Sequence, residues 1–312
     1  MVVTFEKYFN RIYEDYDKWA LIPVALFLFS IAVIGGQLMH DGSVLDRGVV
    51  FSGGTEITYS VDGDFSTVEV EEIMESHGRS GSIALREETE AGSRLRLTIP
   101  PPQLEDEAEA KDLLENNEIR NMSVEVEQFF FATSAVAETF FTQAVWAFIL
   151  AFTIMSVVIF TSFRDVIPAF AVVFAASADI LFTIAVMSVL GIPLTLGSLS
   201  ALLMLIGYSV DTDIVLSSRV LKQKRGTLKE KMWSSVKTGV TMSSGGIAAF
   251  AILYLVSMYL VGSSELSAVA SVMVIGLLAD MPFTWLGNTV ILKKYVEGDI
   301  EVPNVMKVVP WR

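Results

Sequence analysis

Cysteine is absent from the 312 residues, and histidine occurs only twice, at His40 and His77. Without cysteine there is no disulfide staple, no thiolate nucleophile and no sulfur-bound metal. A His-x-x-x-His pair is missing, and so is the G-x-x-x-x-G-K-[ST] loop, which excludes a P-loop ATPase. No candidate nucleophile stands with an associated base. The reading is therefore not an enzyme, with no cofactor and no metal expected.

What the chain has in excess is hydrophobic length. Apolar residues make up 52% and mean hydropathy is +0.53. They gather in runs of about 20 residues, the length needed to cross roughly 30 Å of hydrocarbon at 1.5 Å per residue. Six spans are expected, at 20–38, 143–162, 166–190, 196–218, 239–261 and 265–291. The first is read as an anchor and not a cleaved signal, being long and followed by no small-x-small cleavage site. Residues 1–19 and 292–312 are left as terminal segments, and 39–142 as an inserted domain.

The basic residues orient the bundle. Between the fourth and fifth spans stand Arg219, Lys222, Lys224, Arg225, Lys229, Lys231 and Lys237 against one acid, Glu230. The turns at 191–195 and 262–264 hold no base. The positive-inside rule puts the basic loop and both termini in the cytoplasm of a cell-membrane protein. The inserted domain then faces outside.

That domain, over 40–142, carries 22 acids against 7 bases, a net of −15, which accounts for the chain's whole excess of −14. Nucleic acid and anionic lipid are excluded as partners for it. A face for cationic partners remains open, beside the plainer reading of a solvated surface suited to high salt. Its pattern is βαββαβ: a strand over 49–61 broken at Ser52-Gly53-Gly54-Thr55, a helix over 66–76 that Ser66 can cap and Gly78 ends, strands over 82–87 and 94–99, a helix over 104–116, and a strand over 123–131. This is the split unit of ferredoxin-like domains. Gly53-Gly54 reads as a bulge or tight bend, with close approach of a ligand backbone the alternative. Joined to the bundle through its two ends, such a domain suits rigid-body motion.

Chemistry is sought inside the membrane, where acids are costly and face a bundle interior or wet cavity. Asp179 falls in the third span, Asp211 and Asp213 in the fourth, and Asp280 in the sixth. A carboxyl group without a countercharge keeps its proton, and wetting or an approaching cation releases it, which is what a proton carrier requires. The plainer alternative is a neutral acid hydrogen-bonded to serine or threonine on the next helix. Asp211 and Asp213 are about 200° apart on a helix and cannot share one groove. Arg219, at the cytoplasmic end, is explained by snorkelling. Gly197, Ser200, Ala201 and Gly207 in the fourth span, with Ser243, Ser244, Gly245, Gly246, Ala248 and Ala249 in the fifth, read as close-packing positions. Pro282 suggests a kink.

Two motifs carry a family resemblance. Gly207-Tyr208-Ser209-Val210-Asp211-Thr212-Asp213, running on to Arg219 and a basic loop, resembles the fourth-helix signature of the SecD/SecF protein-export subunits. Phe51-Ser52-Gly53-Gly54-Thr55 resembles the family's F-[ST]-G-G-T motif, shortly after the first helix. Six spans and a short ferredoxin-like insertion make the chain more similar to SecF than to SecD, and of archaeal type. The resemblance implies half of an RND-like transporter: a SecD-like partner, a SecY-type channel beside it, surrounding lipid, and help in pulling a translocating polypeptide outward at the cost of a proton or sodium gradient. It also implies ion coupling through an aspartate of the fourth helix. Asp211 stands where SecD-type sequences carry theirs, Thr212 where bacterial SecF does, and Lys237 about where bacterial SecF has arginine. Asp211 is the leading candidate for coupling, ahead of Asp213, Lys237, Asp280 and Asp179. The alternative is a subunit of an RND-type exporter of small solutes or lipids.

Overall fold

The computed structural model describes residues 9–40, 42–62, 65–89, 92–101, 123–163, 165–261 and 264–299. Six helices are long and apolar enough to cross a membrane: Tyr16–His40, Ser134–Phe163, Val166–Leu190, Leu196–Lys222, Leu228–Leu260 and Glu265–Glu297. They are the first to sixth spans below. Several run past the apolar stretch. The second begins at Ser134 because the preceding strand passes straight into it, and the fifth begins in the basic loop, where Thr227 and Glu230 form a capping box.

Burial sorts the spans into two groups. The most apolar windows of the third, fourth and sixth are 56%, 50% and 44% enclosed by the chain, against 11% for the first, second and fifth. The central trio is therefore the one that carries Asp179, Asp213 and Asp280. The second span turns Trp146, Leu150 and Val157 outward, as a helix bathed in lipid should. Very close approach holds the fifth and sixth spans together, since a Cβ at Gly239 would lie 2.0 Å from a ring carbon of Trp285.

Between the first two spans lies a four-stranded antiparallel sheet: β1 Gly54–Asp62, β2 Ile83–Thr89, β3 Gly92–Ile99 and β4 Ser123–Ala132, in the order β2-β3-β1-β4. The helix Thr67–Ser76 packs Val70 and Met74 onto Ile57, Tyr59, Leu95 and Leu97. Alternation along the strands sends these residues to one face and Arg94, Arg96 and Glu56 to the other, where Arg94 pairs with Glu127 at 2.7 Å. The helix ends with Gly78 at φ 77°, and the Arg79 amide donates to the Met74 carbonyl. Ser66 occupies the N-cap position, yet its side chain makes no capping bond. The expected helix over 104–116 lies outside the described residues.

Three expectations need correcting. Residues Val49–Ser52 are a short helix, and β1 starts only at Gly54. The helix buries Phe51 edge-on against Phe141 of the second span, and that contact outweighs the strand propensity of a valine pair. Second, the inserted domain is tied to the bundle at more than its two ends. Gly48 N–H donates to the Leu194 carbonyl and Leu194 N–H to the Asp46 carbonyl, at 2.9 and 2.7 Å, joining the domain's entry to the loop before the fourth span. β2 also lies against the π-helical end of the fifth span, Ser257–Val261. Third, Arg219 does not simply snorkel. Its guanidinium donates to the Ser234 carbonyl and hydroxyl and to the Thr238 hydroxyl, at 2.6, 2.9 and 2.9 Å, and so fastens the fourth span to the fifth.

The glycine pair of the F-S-G-G-T segment belongs to this junction. Gly54 has φ 118°, and a Cβ there would lie 2.3 Å from the Ile99 carbonyl oxygen. A Cβ at Gly53, φ 79°, would meet Ser134, the first residue of the second span, at 3.0 Å. Only glycine lets the sheet approach the span this closely.

A buried carboxyl cluster as the candidate functional site

Three carboxyl groups converge in the middle of the bundle. Asp179, Asp213 and Asp280 are each wholly enclosed by the chain. Around them stand neutral hydroxyls and one amide, contributed by the fourth, fifth and sixth spans. The Ser209 hydroxyl donates to Asp179. Thr212 reaches both oxygens of Asp280 at 3.1 Å, and Thr284 reaches one of them at 3.0 Å. Ser243 of the fifth span stands 3.5 Å from the other. Asn288 donates its side-chain amide to Asp213 at 2.6 Å.

Sequence spacing alone does not bring Asn288 to this side. On a regular helix Thr284 lies one turn beyond Asp280, but Asn288, eight residues on, drifts by about 80°. Pro282 lacks an N–H, and the segment after it, Phe283–Asn288, winds as a π-helix. The wider turn retards the rotation, so Asp280, Thr284 and Asn288 all face inward. Asn288 is also the one polar side chain in the wall of a cavity of about 320 Å³ between the first, third and sixth spans.

Asp179 and Asp280 lie within side-chain hydrogen-bonding reach of each other. Two carboxyl groups in contact form a hydrogen bond only when one of them carries a proton. Among the described residues none of the three acids has a cationic partner. What the arrangement can do chemically is hold a proton between two carboxyls and release it when water or a cation arrives.

The other candidates stand apart. Asp211 is exposed on the outside of the bundle and has no hydrogen-bonding or ionic partner among the described residues. It continues a stripe of exposed positions, Ser200, Met204, Gly207 and Tyr208, with Tyr208 edge-on to Phe250 of the fifth span. Lys237 is likewise exposed and heads a second stripe, Thr241, Ser244, Gly245 and Ala248. The small residues thus divide: Gly197, Ala201 and Ser243 pack inside, whereas Gly207, Ser244, Gly245, Ala248 and Ala249 face out. Phe51, Gly53, Gly54 and Thr55 lie at the domain junction, away from the carboxyls. Thr284 and Asn288 escaped the sequence reading because single neutral residues in apolar spans carry no signal of their own, while Ser209 and Thr212 entered it only within the fourth-helix motif and Ser243 only as a close-packing position. For Thr284, its place one turn after Asp280 was the usable hint.

Comparison with known proteins gives the frame. Residues 112–298 match the SecD/SecF C-terminal family, described as protein export membrane protein SecD/SecF. The protein-export membrane protein SecF of Methanothermobacter thermautotrophicus is 34% identical over 92% of this chain and 95% of its own. That of Haloferax volcanii is 33% identical over 94% and 95%, and that of Methanocaldococcus jannaschii 30% over 91% and 96%. Among solved structures, SecDF of Thermus thermophilus, described as a translocon-associated membrane protein, superposes with a TM-score of 0.74 at 17% identity. The match covers 90% of this chain but 38% of that one, so the shared feature is the fold of one part of a longer protein. With the family model matching residues 112–298 and these relatives matching over more than nine-tenths of both chains, the chain belongs to the SecF family of protein-export membrane proteins.

Proposed function

We propose that this chain is an accessory subunit of the protein-export machinery that pairs with a SecD-type half and draws on an ion gradient through its buried carboxyl cluster. The observation that carries the proposal is the contact of Asp179 with Asp280 in an interior built from neutral donors. A shared proton there is the movable charge, and the fourth and sixth spans that frame it are the parts whose packing responds. The subunit does no covalent chemistry. It sits in the cytoplasmic membrane with the basic loop inside and the sheet domain outside, beside a SecY-type channel, where that domain meets the emerging polypeptide.

The exposed stripes support the pairing. Leaving Asp211 against lipid costs about 2.5–3.5 kcal/mol, and small residues facing out give up packing that a second helix would supply. A SecD-type half seated on the fourth and fifth spans removes both penalties.

The test is export into vesicles holding this chain, its SecD-type partner and the channel, with and without an imposed gradient. Asp280→Asn keeps the size and hydrogen bonding of the side chain but removes the shared proton. Gradient-stimulated export should be lost while insertion and pairing persist. Stimulation equal to that of the parent would remove the Asp179–Asp280 pair from the mechanism.

A further inference from the structure

We infer that Arg47 and the apolar groove beside it form a binding site for one membrane phospholipid. The Arg47 guanidinium holds the lipid's phosphate, and one hydrocarbon chain lies in the groove between the second, third and fourth spans. The site involves neither the carboxyl cluster nor an ion gradient, and it stands or falls without them.

Arg47 is unusual in a domain with 22 acids for 7 bases. There Arg94 pairs with Glu127, Arg96 with Glu56, and Arg86 donates to the Phe65 carbonyl. The exposed Arg47 guanidinium makes no hydrogen bond or ion pair among the described residues, although Asp46 precedes it and Glu138 lies one turn before Phe141. What it touches is the Phe141 ring, with Cζ 3.8 Å from the ring centre. A guanidinium over a ring keeps its N–H fork free, and phosphate is an acceptor that this fork fits with two bonds.

Phe141 joins the arginine to the groove. With Ala144 and Phe148 it forms the second-span wall, Leu202 stands on the fourth span, and Leu45 and Leu194 close the end nearest the domain. The groove measures about 210 Å³ and every side chain lining it is apolar. A cavity of about 150 Å³ with such walls stays dry and takes benzene, so this one has room for a run of methylenes. From Phe141 to Ile149 the second span advances about 12 Å, most of the roughly 15 Å of hydrocarbon in one leaflet. Val145 and Ile149, 42% and 48% exposed, mark the side on which it opens out of the bundle.

A lipid suits this groove better than a further helix. Helices in membranes meet through small residues, whereas the second span presents Trp146, Leu150, Val157 and Phe160. A chain gains no hydrophobic energy by leaving the bilayer for a groove that is equally apolar. Selectivity therefore rests on the arginine, and the groove fixes where the chain lies. The domain's net charge of −15 argues against a broad surface for anionic lipid, but one phosphate at one boundary arginine is no such surface. Leu194 also accepts from Gly48 N–H and donates to the Asp46 carbonyl, so the bound chain packs on the strap that ties the domain to the bundle.

The measurement is photo-cross-linking of the purified full chain, in detergent, to phosphatidylglycerol with a diazirine on one hydrocarbon chain. Adducts are expected within 141–149 and 199–202. Unlabelled phosphatidylglycerol should displace the probe. Diacylglycerol with the same chains and inorganic phosphate should not, which separates a lipid phosphate from a bare chain or a free ion. Arg47→Gln should raise the concentration for half-labelling about tenfold, equivalent to about 1.4 kcal/mol. Ala144→Phe, which fills the groove and spares the arginine, should abolish the adducts, and Ala147→Phe, outside the groove, should leave them unchanged. Absence of adducts there in the folded parent overturns the inference, as do adducts indifferent to both Arg47→Gln and Ala144→Phe, or displaced equally by diacylglycerol. Capture of a SecD-type half by a photo-reactive residue at Val145 would make the groove a subunit interface and overturn it as well.

Discussion

Thr212 on the fourth span and Asp280 on the sixth are joined by a forked hydrogen bond, one hydroxyl lying 3.1 Å from each carboxylate oxygen. The contact latches the two helices at the centre of the bundle. It also gives a reason for threonine here. An aspartate at 212 would set a further carboxyl against Asp280, and with Asp179 already in contact that is one acid too many for a neutral pocket.

Thr212→Val keeps the branched shape and removes the donor. Asp280 retains Thr284, so the expected loss is about 1–2 kcal/mol, read as a lower unfolding temperature in detergent. Thr212→Val with Thr284→Val should cost more than the sum of the single changes, because only the pair strips Asp280 of its close donors. Additive losses would show that the two hydroxyls act independently.

Gly54→Ala forces a Cβ into the Ile99 carbonyl at a backbone angle alanine rarely adopts. The β1–β3 pairing should loosen first, at a cost of about 1–3 kcal/mol. Hydrogen exchange should quicken in Gly54–Asp62 and Gly92–Ile99 while the third and fourth spans stay protected. Unchanged exchange in both strands would refute the close approach.

At Gly239 the obstacle is the indole of Trp285, so Gly239→Ala should lower thermal stability and Trp285→Leu should restore much of it in the double variant. Without rescue, the fifth and sixth spans would have to meet elsewhere.

Asp211→Asn should leave the unfolding of the lone chain unchanged, because Asp211 is exposed and makes no hydrogen bond or ion pair among the described residues. Its effect belongs to pairing: recovery of a SecD-type partner after mild detergent extraction should fall. A stability loss in the isolated chain with pairing intact would reverse this assignment.

The chain's lack of cysteine makes orientation simple to test. Ser66 and Lys224 are both exposed and lie on opposite sides of the bundle. On intact cells Ser66→Cys should react with an impermeant thiol reagent and Lys224→Cys should not. The opposite result would invert the topology.

Sequence by itself determined the six spans, the sheet and its helix, and the family, because each is written in local pattern. Hydrocarbon thickness sets the length of an apolar run, alternation marks a strand, and a glycine pair flags a backbone that must bend or approach closely. It also separated Asp211 from Asp213, since two residues on a helix point to opposite sides whatever surrounds them. Which side is the inside was not written there. That depends on how the third, fourth and sixth spans pack, and the packing turned Asp213 inward and left Asp211 on the outer stripe. The π-turn after Pro282 brought Asn288 round to Asp213, and the fifth span supplied Ser234 and Thr238 to Arg219. A partner from a distant span leaves no periodicity in the chain that carries the acid, so only the tertiary structure could name it.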